Sequence, residues 1–236
     1  MSIRTLKLFL LFTLLLTSCS PSRAYREQPQ KGRDDRELAY ALELSRRAKI
    51  VIDPGHGGKD LGALSVKDPK YQEKTLNLTT AIWLKTFLQQ MGYQTIMTRA
   101  DDFFVPLDLR AAFANSNQAK LFVSVHYNSA PNKKAEGVEV YYYDAETDKE
   151  RTEQSKKLAK TVLDQIVANT KCKSRGVKHG NLAVIRETKM PAILIEGGFV
   201  TNETELNKLQ DPNYQKTLAG SIALGIRSFL KPKKRS

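Results

Sequence analysis

The sequence is poor in residues that staple or ligate small domains: 236 residues include two cysteines, three histidines and one tryptophan. Cys19 and Cys172 cannot supply a disulfide framework, and a closed structural zinc site built on several thiolates is excluded with it. The apolar stretch Leu8 to Leu16 is uncharged but falls far short of the roughly 20 residues a spanning helix needs. Acids are also in deficit, with 38 Lys and Arg against 25 Asp and Glu for a net charge of +13. Internal repeats are absent, and no low-complexity tract interrupts the chain beyond residue 49. What is present is a globular composition, 41% hydrophobic, long enough for one ordinary domain with extensions.

Arg4 and Lys7 precede the Leu8 to Leu16 stretch, so residues 1–18 read as an export signal. The run Leu16-Thr17-Ser18-Cys19 resembles the lipobox of bacterial lipoproteins, which implies cleavage before Cys19 and acylation of that residue. Two or three acyl chains, at about 0.8 kcal/mol per buried methylene, hold a protein to a membrane far more firmly than one. Ser20 stands where an inner-membrane lipoprotein would carry aspartate, so by the same resemblance the expected location is the periplasm, anchored to the outer membrane. Residues 19–48 then form a tether containing Pro21, Pro29 and Gly32, and residues 232–236 a basic, solvated tail. A cationic surface suits a polyanion, and export makes acidic wall polymers or anionic headgroups the expected neighbours in place of nucleic acid.

From residue 49 to 231 apolar runs alternate with helical periodicity, the rhythm of βαβ units. Strands are expected at 50–53, 94–98, 121–125, 138–143 and 192–195, and helices at about 73–91, 107–117, 150–169 and 213–230. Leu76, Trp83, Phe87 and Met91 mark the buried stripe of the first helix, with Gly92 as its terminator. Asn202-Glu203-Thr204-Glu205 reads as a capping box. The fold class is therefore α/β, a twisted, mostly parallel or mixed sheet flanked by helices on both faces, in a single catalytic domain.

Polar groups capable of chemistry fall where such a fold places its ligands. His56 follows the first strand in the turn Gly55-His56-Gly57-Gly58, His126 ends the run Leu121 to Val125, and Glu196 ends Ala192 to Ile195. The carboxyl ends of parallel strands share one edge of a sheet, and Glu73, opening the helix after the His56 turn, reaches the same edge. Two imidazoles and a carboxylate are a ligand set of catalytic zinc, with a fourth position left to water. Such a metal activates water and polarises a carbonyl, and a carboxylate outside the ligand set must then move the proton. Glu196, beside Gly197 and Gly198, is assigned that role. The glycines of the turn do not signal a phosphate cradle, because the lysine and hydroxyl order of a P-loop is missing. His179 falls in a loop after residue 176 and is not expected to be a ligand.

At these residues the chain resembles the zinc-dependent N-acetylmuramoyl-L-alanine amidases. The likeness is carried by Ile52-Asp53-Pro54-Gly55-His56-Gly57-Gly58, Glu73-Lys74, Thr98-Arg99 with Asp102 and Arg110, Ser124-Val125-His126-Tyr127-Asn128, Gly137 to Tyr142, and Ile195-Glu196-Gly197-Gly198-Phe199. The resemblance implies zinc held by His56, Glu73 and His126, catalysis by Glu196, and peptidoglycan as substrate, cut between the muramic acid lactyl group and L-alanine. Asn128, Asn181 and Arg99 are the expected substrate contacts, although pairing of Arg99 and Arg110 with Asp101, Asp102 or Asp108 competes with that use. Several family members carry an inserted helix that blocks the zinc until a partner withdraws it. Here only about residues 145–152 separate strand from helix, too few for such a lid, so no lid-releasing activator is expected. Two other readings stay open: a zinc peptidase cutting within the stem peptide, and a non-catalytic lipoprotein that binds peptidoglycan.

Overall fold

The computed structural model describes residues 48–231. The proposed leader, Cys19, most of the tether and the tail at 232–236 lie outside the described residues. Within them, β1 (Lys49–Pro54), β2 (Gln94–Met97), β3 (Leu121–Asn128) and β6 (Ala192–Phe199) run parallel, while β4 (Val138–Tyr142) is antiparallel to β6 and β5 (Ser174–His179) is parallel to β4. They form one sheet in the order β2-β1-β3-β6-β4-β5. Strands covered on both faces read as continuous apolar runs, and Ile50, Val51, Ile52, Phe122 and Val123 are fully buried accordingly. The reversal of β4 matters for function. It brings the first residues of β4 to the edge where β1, β3 and β6 end.

Three long helices cover one face of the sheet: α1 (Glu73–Gln90), α3 (Lys149–Thr170) and α6 (Pro212–Leu230). Leu84 and Leu88 of α1, Val162 and Ile166 of α3, and Ile222 and Ile226 of α6 close over Ile50, Ile52, Val123 and Ile193 in one buried cluster. Gly225 permits the approach of α6 to α3, since a Cβ there would stand 2.6 Å from Val162 Cα. Truncating a fully buried residue such as Ile222 costs about 2–5 kcal/mol. The opposite face carries only the short helices α2 (Leu107–Ser116) and α4 (Ala183–Arg186), whose Ala114, Val184 and Ile185 pack on Val51, Phe122 and Leu194. The thinner cover leaves room there for a cleft.

The expected α/β domain with a mixed sheet and helices on both faces is the fold that forms. Its details differ at three points. The buried stripe of α1 is Leu76, Ala81, Leu84 and Leu88, whereas Trp83, Phe87 and Met91 are partly buried on the flank; Lys216 of α6 lies over the Trp83 ring. The second correction concerns His179, which ends the strand β5 and does not lie in a loop. A capping box at Asn202, which opens α5 (Glu203–Leu209), is half realised as the third. Asn202 accepts from Glu205 N, but the Glu205 carboxylate accepts from Phe199 N and Gly137 N, tying the end of β6 to the approach of β4. Between β4 and α3 only residues 143–148 intervene. No helix among the described residues is long and apolar enough to cross a membrane.

Candidate active site

The turn after β1 is held in a conformation that the sequence alone would resist. His56 has φ 59°, Gly57 127° and Gly58 56°, and the left-handed region costs a non-glycine residue roughly 1–2 kcal/mol. Two buried arginines offset that cost. Arg99 donates to the carbonyls of Pro54 and Gly55, and Arg110 to those of Pro54 and His56. Arg110 also pairs with Asp53 at 2.8 Å, and Asp53 accepts from Thr98 Oγ1 and Ser124 Oγ. Gly55 is required for a different reason: a Cβ there would sit 2.0 Å from Cε1 of His126. The backbone of the turn therefore packs flat against the second imidazole.

His56, Glu73 and His126 converge as expected, each offering one ligand atom, all within 4.8 Å of one another. Glu73 is the first residue of α1, and its Oε1 accepts from Tyr127 N and lies 3.0 Å from His126 Nδ1. Its Oε2 accepts from Ala63 N and lies 3.1 Å from His56 Nε2. Burial pulls the Glu73 carboxyl up, but the two imidazoles outweigh it and hold the group well below the ordinary carboxylate range. Asp60 Oδ2, 2.9 Å from His56 Nδ1, fixes the ring so that Nε2 faces the cluster, the usual job of a carboxylate behind a metal-binding imidazole. Sequence reasoning missed Asp60, although its spacing four residues after His56 within one turn was visible. Two nitrogens and one oxygen, converging beside glycines whose side chains would fill the space, fit a zinc ion; at Gly62 a Cβ would stand 2.6 Å from Glu73 Oε2.

Glu196 is treated differently. Its Cα partners are His126 on β3 and Glu139 on β4, so three polar residues stand in one row across three strands. Glu196 Oε2 is buried and has no hydrogen-bond partner among the described residues. Burial, then the charges of Glu73 and Glu139, push its carboxyl well above the ordinary value. An unsatisfied buried carboxyl oxygen costs free energy, and a carboxyl perturbed in this way beside a cluster of possible ligands is a candidate functional group.

The three expected substrate contacts separate. Arg99 is 1% exposed and directs its N–H groups at backbone carbonyls, those of Asp101 and Lys74 included; the structure makes it a clamp on the turn, not a substrate contact. Nor do Arg99 and Arg110 pair with neighbouring acids as the sequence suggested, since Asp102 binds Lys74 instead. Asn181 is exposed and accepts from Arg186. Asn128 stands by the row and donates to Glu139 Oε1. Glu139 itself was missed: it belongs to a strand whose reversal a sequence does not reveal. His179 accepts from Asp144 N and packs against Tyr143, away from the cluster. Beside the imidazoles opens an apolar cavity of about 320 Å³ walled by Phe104, Leu107, Leu182, Val184 and Leu194.

A carboxyl left unpaired at the mouth of a His/Glu/His cluster, on the ligand edge of an α/β sheet, is the layout of a hydrolytic enzyme. The chain belongs to the N-acetylmuramoyl-L-alanine amidase family, whose model matches residues 50–228. It is 37% identical over 191 residues to the uncharacterized protein YqiI of Bacillus subtilis, covering 81% of this chain and 89% of that one. It is 34% identical over 180 residues to the probable cell wall amidase LytH of Staphylococcus epidermidis, covering 76% of this chain but 57% of the relative. Among solved structures, the N-acetylmuramoyl-L-alanine amidase of Clostridium difficile 630 is similar with a TM-score of 0.73 and 40% identity, over 78% of this chain and 97% of that one.

Proposed function

We propose that the protein hydrolyses the amide between N-acetylmuramic acid and L-alanine in peptidoglycan, with zinc held by His56, Glu73 and His126 and with Glu196 as general base. The observation that carries this reading is the buried, unpaired Glu196 Oε2 next to a ligand cluster whose own carboxylate is fully engaged. When bound, zinc supplies Lewis-acid chemistry toward water and a carbonyl. Asp60 sets the orientation of the His56 ring, and Arg99 and Arg110 hold the turn that carries it. Glu196 takes a proton from the attacking water and delivers it to the amide nitrogen as the C–N bond breaks; a carboxyl with raised proton affinity suits both halves of that transfer. The apolar cavity accepts the uncharged groups flanking the amide. Mass spectrometry of digested wall material tests the reaction: lactyl-terminated glycan with intact stem peptides is expected, and shortened stems still attached to glycan would overturn it in favour of a peptidase.

Residues 1–18 act in this reading as a lipoprotein signal, Cys19 as the acylated residue, residues 19–48 as a tether and residues 49–231 as the catalytic domain, with the protein in the periplasm at the outer membrane. Labelled fatty acid should enter the parent and not Cys19→Ala, which should be recovered in the soluble fraction. The six-residue connector between β4 and α3 supports activity without a lid-releasing partner. Residues 20–236, purified and supplied with zinc, should digest peptidoglycan; a silent enzyme woken by a second protein would refute the point.

A further inference from the structure

A second constellation lies next to Glu196, and the proposed reaction gives its cations no part. Glu139 has a side chain only 3% exposed, yet four donors converge on its carboxylate. Asn128 Nδ2 and the Tyr141 hydroxyl donate to Oε1, and Arg175 Nε and Lys178 Nζ to Oε2. One cation would neutralise the buried charge, and a second leaves an excess of positive charge at the surface. Both cations remain accessible, at 33% and 39% side-chain exposure. Each is also laid against an aromatic face, Arg175 on Phe199 at 4.9 Å and Lys178 by Tyr141 at 6.0 Å, a contact that attracts and orients a cation. Arg175 Nη2 makes no hydrogen bond among the described residues. Long side chains lose much rotamer freedom when fixed; here that loss is met in advance.

The register places this pair relative to the chemistry. Glu139 is the Cα partner of Glu196, and β5 lies one strand further out. Strands stand about 4.8 Å apart, so the backbone that carries the cations lies roughly 10 Å from that of the base, within the reach of about three extended residues. On the glycan side the substrate is uncharged over that span, so an anion at this distance belongs to the peptide. We infer that Arg175 and Lys178, held by Glu139, form a subsite for a free carboxylate within the first two or three residues on the peptide side of the scissile amide. This rests on the amidase reading, and it makes the pair determinants of specificity, not catalytic residues.

The test uses the full chain with zinc and two muramoyl-peptide substrates that differ only in carrying a carboxylate or a carboxamide on the residue after L-alanine. A charge-assisted hydrogen bond should favour the acid in kcat/KM by at least about tenfold. Lys178→Gln and Arg175→Gln should each cut that ratio several-fold by lowering the rate on the acid alone, and Lys178→Arg should restore most of it. Because the ratio compares two substrates on one preparation, partial unfolding of a variant cancels. A parent that cleaves both substrates equally, or variants that keep the parent's ratio, would overturn the subsite and leave the amidase standing. If neither substrate is cleaved at the lactyl amide, the amidase reading falls and the inference falls with it.

Discussion

The start of α1 and the middle of β6 each present a glutamate to the same cleft and treat it in opposite ways. Glu73 is met by two backbone N–H groups and two imidazoles, which favour its charge. Glu196 has no partner at Oε2 among the described residues and faces two other carboxylates, which with its burial disfavour its charge. Two groups of one chemistry are thus driven apart by their surroundings, and that divergence fits the roles proposed for them, the stabilised anion as a ligand and the destabilised one as the group that exchanges protons. The α1 region is built to hold, and the β6 region to be changed by what arrives.

Substitutions on either side of that contrast should separate metal from turnover. The largest effect is expected for His126→Ala, which removes a ligand, so both zinc content by atomic absorption and hydrolysis should vanish; full zinc occupancy in this variant would break the assignment of the α1 side. Next is Glu196→Gln, for which zinc content should match the parent while turnover of a muramoyl-peptide drops by about 10²–10⁴. A variant as active as its parent would remove Glu196 from the reaction. Asp60→Asn should weaken zinc binding by about 10–100-fold in a competitive chelator titration, since the carboxylate orients His56 from behind. The smallest effect concerns Glu139. Burial pulls its carboxyl up, but Lys178, Tyr141 and Arg175 outweigh that and hold it below its ordinary value. Its contribution to stability is present above the unfolded value of about 4.3 and is lost as pH falls through the folded one. Urea denaturation should show the parent weakening below about pH 4 more steeply than Glu139→Gln.

How much of this was legible in the sequence follows from how local each signal is. His56, His126 and Glu196 each end an apolar run, so strand direction alone sends them to one edge, and Glu73 opens a helix that begins there. β5 escaped because Ser174 to His179 lacks apolar alternation: an edge strand is held by its ladder with β4 and not by burial. The arginines misled for a related reason. Arg110 has Asp108 two residues away but binds Asp53 across 57 positions, a partner chosen by the fold. Glu139 lies inside the motif Gly137 to Tyr142 with no role visible in the sequence, because only the antiparallel turn of β4 sets it opposite Glu196.

The position of β5 has one more consequence. It is the last strand of the sheet among the described residues, and an outer rim of that kind is one on which another chain could add a strand. Arg175 and Lys178 belong to this short segment and Lys173 directly precedes it, and a second copy docking there would bring like charges together. The cations that would read a substrate's carboxylate would therefore also oppose such an edge-to-edge pairing. Neutralising them to change specificity should lower the concentration at which the enzyme stays dispersed, which light scattering across a dilution series would record.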